Sequence, residues 1–178
     1  MTIKVKEIVN GCFPVDFENG EWVDLCTAED VMIKAPQANK MHIRSTGKNP
    51  SQELRTRDVD FDFQMIPLGI AMQLPSGMEA HVLPRSSTFK RYGLLLVNSQ
   101  GIIDGSYCGD GDEWKYPVIG TRKVTIPKGT RIAQFRIQLS QKATVWQKMK
   151  WLFSSGVKIR KVASLDNPDR GGFGSTGK

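Results

Sequence analysis

"RIAQFRIQL", residues 131–139, alternates with a period of two: Ala133, Phe135, Ile137 and Leu139 occupy one face, and Gln134, Arg136 and Gln138 the other. Successive side chains of a strand point to opposite faces, so this stretch reads as a β-strand with one face in a core and one in water. Working outward, "IKVKEIV" near the start alternates in the same way, and "MEAHVLP" and "YGLLLVN" read as further short strands. Turn signals separate them, "LPSGM" before one strand and "IPKGT" before another. Many short strands with little helix predict an all-β fold of the sandwich, barrel or jelly-roll kind. One short helix is expected within "SSTFKRYG", where a serine can cap the start and Gly93 can end the last turn.

The chain has 178 residues, enough for one domain with a sizeable core, and residues 1–178 are read as a single domain. No apolar run approaches the length of a membrane span, and the opening "MTIKVKEIVN" lacks the apolar core of a signal peptide. Cys12, Cys26 and Cys108 are odd in number and lack metal-ligand spacing, so free thiols in a reducing cytoplasm are expected. The net charge is +7, which attracts polyanions. From residue 142 onward Lys142, Lys148, Lys150, Lys158, Arg160, Lys161, Arg170 and Lys178 face only Asp166 and Asp169. A phosphorylated small molecule and nucleic acid are the two partner classes this charge admits. No basic-aromatic module is visible, which argues against nucleic acid.

Two segments interrupt the strand pattern. Residues 35–60 are polar and weakly patterned, as expected of a surface insertion, and their basic side chains offer an edge for an unknown protein partner. The end, residues 166–178, is rich in glycine and small polar residues and reads as a flexible arm, yet it carries Arg170 and Phe173.

Chemistry-bearing residues cluster in four stretches. "GIIDGSYCGD", residues 101–110, reads as a hairpin, because two β-branched residues precede Asp-Gly. Its Asp104 is either a turn former or a reactive carboxylate, with Tyr107 as a wall. "PRSSTFKRYG" offers Arg85, Ser86, Ser87 and free amides at a helix start, a seat for phosphate. Gln134 lies on the wet face of its strand, and "DRGGFGSTG" can wrap phosphate through backbone amides, Arg170, Ser175 and Thr176.

In order, "EWVDLCTAED", "PRSSTFKRYG", "NSQGIIDGSYCGD", "GTRIAQ" and "RGGFGSTG" resemble the five motifs of the trimeric dUTPases (deoxyuridine triphosphate pyrophosphatases). The resemblance spans nearly the whole chain outside 35–60 and part of 140–165. It implies a jelly-roll β domain, a homotrimer whose active sites are shared between chains, and Mg²⁺-assisted hydrolysis of dUTP to dUMP and pyrophosphate. On that resemblance Asn98 and the backbone of Gly101, Ile102 and Ile103 read uracil, Tyr107 packs on the deoxyribose, and Asp104 activates water for attack on the α-phosphorus. Arg85, Ser86, Ser87 and Gln134 attend the phosphates. The arm of a third chain lays Phe173 over the base and brings Arg170, Ser175 and Thr176 to the γ-phosphate. Mg²⁺ is held by phosphates and water, with no protein ligand.

The resemblance departs in two places. Glu21, Trp22 and Val23 stand ahead of Asp24 where the family has Ala-Gly, and two residues are missing between Arg170-Gly171 and Gly172-Phe173. The second departure makes Trp114 and Tyr116 alternative candidates for the aromatic lid. Two rival readings share the fold: a dCTP deaminase with Glu113 as proton carrier, and a regulatory protein acting through residues 35–60.

Overall fold

The computed structural model describes residues 1–14, 21–45 and 53–172. The four-stranded central sheet has the order β10-β8-β13-β2, built from Gly101–Ile103, Met78–Pro84, Arg131–Leu139 and Val23–Cys26. Its longest ladder pairs β13 with β8 antiparallel from Ala133↔Pro84 to Leu139↔Met78. Both strands bury alternate residues: Met78, Ala80 and Val82 on β8, and Ala133, Phe135 and Ile137 on β13. A register shift between Arg131 and Ala133 adds Ile132 to the core as well.

The second sheet, β6-β11-β9, comprises Phe63–Pro67, Lys115–Gly120 and Leu94–Leu96. It meets the first through Trp114, whose ring stands edge-on to Phe135 at 5.3 Å. The third sheet sets β1 (Thr2–Glu7) between β7 (Ile70–Gln73) and β14 (Lys158–Val162), the latter pairing parallel to β1. A small pair joins β3 (Val31–Ile33) to β12 (Val124–Ile126). One continuous apolar cluster runs through all of these.

Four expectations change. The stretch 101–110 is not a hairpin: β10 pairs with β8, and β11 pairs with β6 and β9, so the chain crosses from one sheet to another after Asp104. Ser87 holds the N-cap position of α1 (Thr88–Tyr92) but its side chain makes no cap bond. Thr88 fastens this helix instead, its hydroxyl donating to the Ile132 carbonyl at 2.6 Å. Gly93 does end the helix, at φ 66°. A second helix, α2 (Val145–Leu152), forms where none was expected, because Thr144 and Gln147 close a capping box. Residues 35–60 hold an antiparallel ribbon of β4 (Gln37–Ser45) and β5 (Glu53–Asp60), which among the described residues pair with no other strand.

Candidate active site

The crossing between sheets makes the site. Where β10 leaves the central sheet and β11 enters the second, the strands splay around a pocket of about 200 Å³. Val82, Leu96, Ile103 and Pro117 supply apolar wall, and Gly101–Ile103 supply a strand edge. Asn98 sits at the rim, exposed, and Asp104 and Tyr107 stand at the mouth. Gly101 pairs with Val82, and a Cβ there would lie 3.3 Å from the Val82 side chain, so the close approach it permits is to β8. Ile102 points outward and is 61% exposed.

Asp104 is held on both sides. The Ser106 amide donates to Oδ1 at 2.8 Å, the Ser106 hydroxyl donates to the same oxygen, and Arg170 Nη1 donates to Oδ2 at 2.7 Å. Partial burial pushes the carboxyl pKa upward, but the two Ser106 bonds and the Arg170 charge outweigh it and hold Asp104 below its ordinary value. The turn-forming and reactive roles are therefore compatible: one oxygen makes the turn and the other faces a cation. Tyr107 is fixed by donating to the Glu113 carbonyl at 2.9 Å. Burial, then the charges of Asp112, Glu113 and Asp169, push its pKa up, so the phenol stays neutral.

Arg85, Ser86, Ser87 and Gln134 form a second group outside the pocket wall. Asp24 organises it, accepting from Arg85 Nε at 2.8 Å and from Arg131 Nη1 at 3.2 Å. Gln134 donates to the Pro84 carbonyl at 3.2 Å, across the ladder from Asp24. Thus Asp24 keeps Arg85 in a fixed pose despite the altered residues ahead of it. Ser87, free of capping, keeps its hydroxyl for other partners.

Trp114 and Tyr116 are not a lid. Both are fully buried, at 0% and 1% exposure, and form the pocket floor. Tyr116 lies on β11 and Trp114 just ahead of it, and both belong to the apolar cluster between the sheets. Glu113 accepts from the Gly69 amide at 3.0 Å, a structural bond, and does not line the Asp104 pocket. Phe173, Ser175 and Thr176 lie outside the described residues. Arg170, expected on the γ-phosphate at another chain's site, pairs with Asp104 of its own chain at 2.7 Å in the single chain described.

Asp112 escaped the sequence reading. It is a fully buried carboxylate that accepts from the amides of Gly109, Arg170 and Gly171. The available signal was the run "CGDGDE", with a carboxylate at alternate positions, read only as a turn.

Fold and site define an all-β domain with a strand-edge pocket and an ionised carboxylate at its mouth. The dUTPase family model matches residues 51–151. The chain is 39% identical over 178 residues, 99% of each protein, to the SPbeta prophage-derived deoxyuridine 5'-triphosphate nucleotidohydrolase YosS of Bacillus subtilis (strain 168). It is 36% identical over 118 residues, 65% of this chain and 70% of the relative, to the deoxyuridine 5'-triphosphate nucleotidohydrolase of Thermoanaerobacter sp. (strain X514). Among solved structures, the dUTPase of Streptococcus mutans superposes with a TM-score of 0.56 at 20% identity, covering 74% of this chain and 88% of that one. The dUTPase of phage phi11 of S. aureus, described with a species-specific insert, gives 0.56 at 14% identity, covering 80% and 93%. These two show a shared fold. The chain belongs to the dUTPase family.

Proposed function

We propose that this protein hydrolyses dUTP to dUMP and pyrophosphate. The observation that carries the reading is Asp104, an ionised carboxylate at the mouth of a narrow pocket, in a chain of the dUTPase family. Uracil enters the splayed strands, where Asn98 and the backbone of Gly101–Ile103 pair with its edge, and Tyr107 lies against the deoxyribose. On this reading the pocket takes uracil in preference to a base that carries a 5-methyl group. Asp104 then orients a water toward the α-phosphorus and accepts its proton. Arg85, Ser86, Ser87 and Gln134 bind and order the phosphates, so the reaction depends on positioning and charge rather than on a covalent intermediate.

Mg²⁺ would be held by the oxygens of the triphosphate and by water, and there it would neutralise phosphate charge. A neighbour in fold, a mutant dUTPase of phage phi11 of S. aureus, is described with a structural Mg(II) ion.

The split between the Asp104 pocket and the Arg85–Gln134 group supports a homotrimer in which one chain's pocket faces another chain's phosphate-binding group. No helix among the described residues is long and apolar enough to cross a membrane. Burial, then neighbouring Cys26, push the Cys12 thiol up to about 12, so it is inert at neutral pH.

Incubation with dUTP, dCTP, UTP and dTTP plus Mg²⁺, with product identification, tests the reading. Pyrophosphate and dUMP from dUTP alone is the expected result. Ammonia from dCTP with little dUTP turnover would reassign the protein as a deaminase.

A further inference from the structure

Strand β10, which offers the pocket its edge, is held lightly by its own backbone. It is three residues long and lies at the margin of the central sheet, where among the described residues it pairs with β8 alone. In the turn that delivers it, Val97, Asn98 and Ser99 are exposed, and Ser99 takes φ 58°, a left-handed value that side chains rarely adopt. The turn's backbone bonds are uneven. The Gln100 amide donates to the Asn98 carbonyl at 2.5 Å, but the Ser99 amide reaches the Leu96 carbonyl only at 3.4 Å. A second hold lies on the wet face of the sheet. Ile102 stands opposite His81 in the ladder, so Gln100 is the diagonal neighbour of His81 on that face. Gln100 Nε2 donates to His81 Nδ1, and His81 Nε2 donates to Glu79 Oε1 at 2.9 Å. A carboxylate only accepts, so Glu79 requires the proton on Nε2 and leaves Nδ1 bare to receive Gln100. Both side chains are mostly buried, at 12% exposure for His81 and 21% for Glu79.

We propose that His81 is a positioning residue for base recognition: through Gln100 it clamps the start of β10, and the turn that carries Asn98, onto β8. A strand that must keep one edge open for a base can be held only from its other edge and from its faces. Pairing with β8 uses the other edge, and the Glu79–His81–Gln100 relay uses the wet face. Neither occupies the edge that faces the pocket. Opening a three-residue edge strand costs little, so one side-chain bond is a large share of what keeps it in place. The bonds of a relay also strengthen one another, so loss of any member weakens the whole. Asp104 is held separately, by Ser106 and Arg170, so the relay bears on binding of the base more than on activation of water. The consequence for catalysis rests on the dUTP reading, but the clamp can be measured without nucleotide.

Amide hydrogen exchange at residues 98–103, in the full chain without nucleotide, reads the clamp. Gln100→Ala and His81→Ala should each speed exchange there about twofold to tenfold, the change that one net hydrogen bond supports, and leave β1 on the third sheet unchanged. His81→Gln keeps an acceptor for Gln100 and a donor for Glu79, and should restore the wild-type rate. With dUTP, the two alanine variants should raise KM about twofold to tenfold at nearly constant kcat, and His81→Gln should recover the wild-type KM. The double alanine variant should lose no more than either single one. If His81→Ala fails to fold, Gln100→Ala and His81→Gln carry the test. Unchanged exchange in Gln100→Ala would overturn the proposal. So would an unchanged KM in a variant whose strand opens, or a double variant showing the product of the two single losses. A wild-type protein inert toward dUTP would sink the dUTP reading and leave hydrogen exchange to judge the clamp.

Discussion

Asp104 carries two burdens, closing a turn through Ser106 and facing Arg170, and its charge state follows from both. With its folded pKa below the ordinary carboxylate value, Asp104 stays ionised through the neutral range. The sign follows directly. The Asp104 bonds to Ser106 and Arg170 stabilise the fold above the unfolded carboxyl pKa, and that stabilisation is lost as pH falls through the depressed folded value. Arg170→Ala removes one of the lowering influences, so the acid limb of the kcat/KM profile for dUTP should move to higher pH. A limb that stays in place would show that Ser106 alone sets the charge. Asp104→Asn should retain dUTP binding and lose about a hundredfold to ten-thousandfold in kcat, because an amide cannot take a proton from water. Turnover near the wild-type rate would return Asp104 to the turn alone.

Elements differ in how far they bear on the site. Among the described residues, the β4–β5 ribbon pairs with no other strand and none of its residues lines the pocket. Replacing residues 38–58 with a short Gly-Ser bridge should therefore leave kcat and KM for dUTP unchanged, since loop closure costs grow only logarithmically with length. A large rise in KM would place the ribbon at the site. Helix α2 depends on its start: the Thr144 hydroxyl accepts from the Gln147 amide, Gln147 Oε1 accepts from the Thr144 amide, and Gln147 Nε2 donates to Ser76 at 2.8 Å. Thr144→Ala should cost about 0.5–2 kcal/mol of stability, read as a lower thermal midpoint, with no change in dUTP turnover. Loss of turnover would tie α2 to the site.

At the scale of the molecule, the question is which chain's arm serves which pocket. Co-expression of Asp104→Asn and Arg170→Ala chains with different tags, followed by tandem purification, isolates mixed assemblies. A homotrimer with sites shared between chains predicts activity above the weighted sum of the separate variants, because an intact arm can reach a neighbour's intact Asp104. Activity no greater than that sum would confine each arm to its own chain's pocket.

The β fold was legible because alternation is local. "RIAQFRIQL" and "MEAHVLP" state which face is buried, and the two strands run over those same residues, 131–139 and 78–84. The family was legible from five short motifs in order, since each carries its own chemistry in a few adjacent residues. What required the tertiary structure was every relation between distant segments. No local pattern says that β10 pairs with β8 rather than folding back on β11, because strand pairing is decided by which sheets share the core. Trp114 and Tyr116 read equally as lid or floor until the second sheet closes over them. Asp112 looks like a turn residue in sequence, and its meaning comes from amides 58 and 59 residues away. Burial gives that carboxyl its meaning: a polar group out of water must find partners, and the amides of Arg170 and Gly171 are among them.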